Sequence, residues 1–526
     1  MGDENTILTE AEARHLLRRT GFGPTRRELD NSGYIGSTRG AAADDLLDFK
    51  PKKFKPSGRE FDRSHDKWIK FMTKTRHPIQ SKLVLFWHDH FSTAISTVQD
   101  VKLMATQIKL LYTNSKGHFK DLVKAINKDT AMMEFLDTVR NRKQVPNENY
   151  ARELQELFTL GVTDFAGNKN YTQEDIVQIS RAFTGWDYEK AAQPFLNENR
   201  HDFIEDFPER GPKVIFKGAH GFPPGGADFT SSGEGAAEID VVTDILFQHT
   251  DTDGKNTVAR RTAARLIEYF AHPDLVTPSL VDAVVADSDF DTNWDIGGLC
   301  RAIFVRDEFY ATAAPAPFGS GTLKSVKWPI DFTVSTLRML KIKLRGRDKI
   351  VNGGTFRPIR DHLQNMGQLL LDPPSVFGWD WESAWLSSST LLARYNLARD
   401  IIAAREGGKR FRPETLMDLS LTDPGQIADA VIDVLGILRG AGTLVFCVDY
   451  PIVVEVAADA GHDRDGGSGP HGQDWLGWDL AVGRYNVGDT QLGLCRDGHF
   501  AGRERGFPQR KRGSAVATGA ASEHQA

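Results

Sequence analysis

Cysteine is nearly absent from this chain of 526 residues: Cys300, Cys447 and Cys495 are the only three. An odd, sparse set excludes a disulfide framework and any Cys-rich zinc or iron–sulfur module. No stretch approaches ~18 uncharged apolar residues, so no transmembrane helix is expected. A basic excess is lacking too. The 65 Lys and Arg stand against 71 Asp and Glu, and a net charge of −6 leaves no electrostatic footprint for nucleic acid. The start, MGDENTILTEAEARHLLRRTGFG, is acidic first and interleaves its apolar residues with charge, unlike the basic opening and unbroken apolar stretch of a secretory signal, so the chain as written reads as cytoplasmic. P-loop, Gly-rich dinucleotide fingerprint and nucleophile elbow are all missing. What remains is ordinary globular composition, 40% hydrophobic and 26% charged, in a chain too long for one small core.

The periodicity is helical. Thr9 with Glu12 forms a capping-box start for a helix ending near Gly21, and Thr172 with Asp175 forms a second. The run IQSKLVLFWHDHF (Ile79–Phe91) is apolar nearly all round, the mark of a buried helix. Residues 101–113, 118–127, 149–160, 236–248, 257–271, 278–285, 297–305, 329–340, 356–371 and 388–404 continue the helical pattern, with one or two more helices in 413–437. Residues 190–235 are rich in Gly, Pro and charge and read as a long loop with a hairpin around Lys213–Lys217. The fold class is therefore mainly α: a large multi-helix domain over 1–440 with long loops, subdivided near the small-residue linker 311–324, and an irregular tail over 441–526. That tail has 15 Gly, seven Arg and one Lys in 86 residues, and it loses all period after the strand-like run Thr443–Val456. It reads as a disordered extension or the product of a reading-frame change.

Three constellations can carry chemistry. The first is His88-Asp89-His90. Residues two apart on a helix point roughly 200° apart, so the two imidazoles converge as metal ligands only if the helix breaks between them; otherwise they pack separately on aromatics. The second is the segment Asn147 to Glu156. Asn149, Glu153 and Glu156 fall at i, i+4 and i+7 with Arg152 beside them, which is either a solvated ion-paired face or two carboxylates facing a cavity. A helix here should pack on the 79–91 helix and bury at least one of the two glutamates substantially. The third is RAFTGW (Arg181–Trp186) with the His201-Asp202 loop beyond it.

The ordered runs LLRRTGFGPT (Leu16–Thr25), FWHDHF (Phe86–Phe91), NENYARELQELFTLGV (Asn147–Val162), RAFTGW, MGQLLLDPPSVFGWDWESAW (Met366–Trp385) and LLARYNLA (Leu391–Ala398) resemble the bacterial domain-of-unknown-function family numbered 1800, over roughly residues 8–440. The resemblance implies a large helical bacterial protein with no settled activity. Relatives are often exported, and they often sit beside a sulfatase-like protein, the partner the resemblance suggests. The first motif usually reads His-Asn-His in the family, so Asp89 adds a carboxylate. Two functions stay open. One is a hydrolase-like enzyme in which His88 and His90 hold a divalent metal ion and Glu153, Glu156, Arg152, His201 and Asp202 carry the catalysis. The other is a non-catalytic helical scaffold that binds a partner protein or polymer through Trp379, Trp381 and Trp385.

Overall fold

In a computed structural model of the chain, the described residues are 3–434 apart from 190–192, 231–232, 312–322, 324, 343, 345–348, 353–354 and 404–412, together with 443–447, 452–456 and 482–483. The chain divides into a unit Met1–Tyr485 and a unit Asn486–Ala526, and the second lies wholly outside the described residues. So does most of the linker at 311–324 and most of the tail beyond 440.

The fold is mainly α, as its periodicity dictates. Helices occupy Glu10–Thr20, Phe61–Lys74, Pro78–His90, Val101–Asn114, Phe119–Asn127, Gln173–Ala182, Glu238–Leu246, Thr257–Phe270, Pro278–Ser288, Ile296–Phe304, Pro329–Met339 and Ser388–Ala403, with shorter ones between them. Both expected capping boxes form, Thr9 with Glu12 and Thr172 with Asp175. The run 356–371 is a correction: its first residues form the strand Thr355–Pro358, antiparallel to Lys349–Asn352, and helix is confined to Ile359–Asn365. Strands are short, because the loops supply only isolated alternating runs. Trp186–Glu189 pairs with Gln193–Leu196, and Val214–Ile215 with Ala227–Asp228, so the hairpin expected near Lys213 closes across a longer loop. Thr443–Cys447, Ile452–Val456 and Val482–Gly483 form a small sheet of three strands.

One continuous apolar core takes residues from Leu8 to Ile401. The helix Pro78–His90 runs through its centre, with every residue after Pro78 buried. Among the described residues no helix is long and apolar enough to cross a membrane.

Candidate functional site

The helix Pro78–His90 continues unbroken through both histidines, so they diverge. The His88 ring lies between Trp68 and Trp379, with centroids 5.5 and 5.3 Å away, and its Nε2 accepts the Leu371 amide at 3.1 Å. His90 packs on Phe86, Trp87, Phe91 and Phe158, and its Nε2 meets the Phe158 carbonyl at 3.1 Å. Burial holds both imidazoles neutral, with pKa values lowered to about 3. Between them, Asp89 is buried too. Its Oδ1 accepts the Trp379 amide at 2.8 Å, and burial pushes its pKa up to about 7 against the opposing pull of that bond and of Arg265, 3.9 Å away. The chain beside it must be glycine: a Cβ at Gly378, where φ is +84°, would fall 2.3 Å from Asp89 Oδ1.

The second constellation begins as the helix Asn149–Glu153 and widens into a π-helical turn, Leu154–Thr159. The amides of Leu160 and Gly161 both reach the Gln155 carbonyl, which is how the turn closes. Such turns recur at functional sites. Tyr150, Leu154 and Phe158 are buried, and the Phe91 and Phe158 rings meet at 5.3 Å, so this segment touches the end of Pro78–His90. Asn149 is exposed, whereas Glu153 and Glu156 are half-buried. Glu156 accepts a hydrogen bond from the Tyr171 hydroxyl at 2.9 Å. Burial, and then the neighbouring Glu156, raise the pKa of Glu153. Arg152 donates to Glu148 at 3.0 Å and to Gln173 at 3.2 Å, away from both glutamates.

The helix Thr257–Phe270 supplies residues that the sequence reading did not single out. Arg265 pairs with Glu268 at 2.5 Å and lies 4.9 Å from the Trp381 ring centroid, joining Asp89 and the Trp-rich segment. One turn earlier, Arg261 lies against Gly161, the last residue of the π-helical segment's exit. Burial and then Arg265 lower the Arg261 pKa to about 10, against the opposing influence of Glu268, Glu156 and Tyr171. The only sequence signal was the i, i+4 spacing of two arginines, which is common on solvated helices.

The His201-Asp202 pair is fully buried. Its Nδ1 meets the Thr184 carbonyl at 2.8 Å and its Nε2 meets Glu238 at 3.2 Å; both Glu238 oxygens accept from the buried Lys213 at 2.7 Å. Asp202 accepts from Arg181 at 3.2 Å and Arg210 at 2.6 Å. These groups satisfy one another and tie the long loop to the helices Gln173–Ala182 and Glu238–Leu246. The helix at RAFTGW ends at Ala182, with Phe183 as its cap.

The structure thus gathers Glu153, Glu156, Tyr171, Arg261 and Arg265 along one seam, while His88 and His90 enter the core and His201-Asp202 a separate buried network. Among the described residues no group of three or more His, Cys, Asp or Glu could hold a metal ion. In the Trp-rich segment, Trp379 and Trp385 are buried; the exposed aromatic there is Phe377, at 67%.

A chain of this helical architecture, carrying these motifs in this order, matches one family over residues 15–442, well over half its length. The chain belongs to that family, described as Protein of unknown function (DUF1800). No curated protein and no solved structure matches it.

Proposed function

We propose that this chain is a hydrolase-type enzyme whose proton transfers are made by Glu153 and Glu156. One observation carries the reading. Two half-buried carboxyl groups are coupled across a π-helical turn, and their environments differ: Tyr171 orients Glu156, while burial and the charge of Glu156 make Glu153 hold its proton more firmly. Pairs of carboxyl groups set apart in this way divide acid and base roles. Glu156 takes the proton of the attacking water, and Glu153 delivers its own to the leaving group. Arg152, fixed by Glu148 and Gln173, orders the first turn of the motif. His201 and Asp202 have a positioning part, anchoring the loop that follows the helix Gln173–Ala182. His88 and His90 enter as core residues whose bonds hold the neighbouring backbone, so the reading rests on carboxyl proton transfer and not on a metal at those two side chains.

The test is hydrolysis of a panel of chromogenic carboxyl, sulfate, phosphate and glycosyl esters by the purified chain. Glu153→Gln and Glu156→Gln should each lower kcat by about 10²–10⁴-fold with little change in Tm. Variants that turn over a hydrolysed substrate as fast as the wild type would overturn the reading.

A further inference from the structure

Ion pairs account for most of the charge along the seam. Arg152 is taken by Glu148 and Arg265 by Glu268. Arg261 is different. It is half-buried, and among the described residues no carboxylate lies within ion-pair distance of it. Its Nη2 makes one long hydrogen bond, 3.4 Å, to the Leu157 carbonyl, and its Nε is sealed from solvent with no hydrogen-bond partner. A guanidinium removed from water is costly unless an anion compensates it. The fold nonetheless makes a place for it: Gly161 has φ +81°, and a Cβ there would stand 2.6 Å from Arg261 Nη1. Arg261 is therefore held at the π-helical turn that carries Glu156 and follows Glu153, without the ion-pair partner that the other two arginines have.

We infer that Arg261 recognises an anionic group on the substrate of the Glu153–Glu156 site, and that this group is a singly charged oxyanion, a carboxylate or a sulfate half-ester. The planar fork of a guanidinium matches two oxygens of either group. The single charge follows from the surroundings. One guanidinium without an ion-pair partner offsets one negative charge, and Arg265, the next cation along the helix, is already paired with Glu268. The assignment rests on the proposed reaction for what the site does, but not for what it binds.

Titration calorimetry of the full chain at pH 8 tests it, with benzoate and phenyl sulfate as probes and phenyl phosphate and benzyl alcohol as comparisons. Benzoate, phenyl sulfate or both should bind, and which of the two does so identifies the oxyanion. Benzyl alcohol should not bind, and phenyl phosphate should bind at least about tenfold more weakly. Arg261→Lys keeps the charge but loses the fork, and it should weaken the monoanion by about tenfold or more. Arg301→Gln, a surface arginine paired with Glu4 and Asp44, should leave affinity unchanged. Failure of both monoanions to bind, equal affinity for phenyl phosphate, or undiminished affinity in Arg261→Lys would overturn the inference. Glu153→Gln separates the two readings: it should retain monoanion binding while losing turnover. Turnover surviving in Glu153→Gln counts against the acid–base reading alone; loss of wild-type binding counts against the anion alone.

Discussion

Asp129 accepts the Met132 amide and the Gln107 side-chain amide, each at 2.9 Å, from a buried position at the N-cap of the helix Thr130–Phe135. Those bonds favour the carboxylate, yet burial outweighs them and raises its pKa from 3.8 to about 7. In the unfolded chain the group loses its proton near the ordinary value; in the folded chain it keeps it until about 7. The stability this group contributes is therefore complete below about pH 4 and is lost as pH rises through 7. Asp129→Asn keeps the capping oxygen and abolishes the titration. At pH 8 the variant should be more stable than the wild type by at most roughly 4 kcal/mol, and the difference should vanish near pH 4. Urea unfolding across pH 4–8 measures it, and parallel curves for the two proteins would refute the account. Asp89, raised by burial in the same direction, leaves a residual slope in the variant.

At the scale of elements, the helix Thr257–Phe270 is positioned from its far end. Arg19, in the LLRRTGFG motif, donates to the carbonyls of Tyr269, Phe270 and Ala271 at 2.9, 2.7 and 2.7 Å, and to Ser325 Oγ at 2.7 Å. The last carbonyls of a helix have no intrahelical donors, and one planar cation satisfies several here. Arg19→Lys retains the charge but cannot span these acceptors. It should cost roughly 2–4 kcal/mol, since each charge-assisted bond contributes about 1.5–3 kcal/mol and a lysine recovers part. A Tm equal to the wild type's would show that the cap is dispensable. The motif thus acts through a helix some 250 residues away in sequence, the same helix that sets Arg261 against the π-helical turn and Arg265 beside Asp89.

At the scale of the molecule, the buried His201–Glu238–Lys213 group joins the loop after Trp186 to the helix Glu238–Leu246. Removing one partner of a buried pair strands the other charge. Lys213→Met should destabilise by about 3–5 kcal/mol, and Lys213→Met with Glu238→Gln should recover part of that loss. Additive losses in the double variant, read from denaturant melts, would mean the three groups are not coupled.

Helix existence, the capping boxes at Thr9 and Thr172 and burial of the 79–91 run were legible in the residues, because capping and apolar periodicity are local properties. The family was legible from the order of its motifs, and the match over 15–442 bears it out. Substantial burial of at least one of Glu153 and Glu156 was expected, and both are half-buried. Spacing could not foresee the π-helical turn, because it depends on the Leu160 and Gly161 amides sharing the Gln155 carbonyl. Nor could it show that Trp379 and Trp385 would be buried while Phe377 stands exposed, or that Arg261 would lie against the π-helical turn. Those are contacts between segments a hundred or more residues apart, and a sequence pattern carries the local preference of each segment but not the partner that packing selects for it.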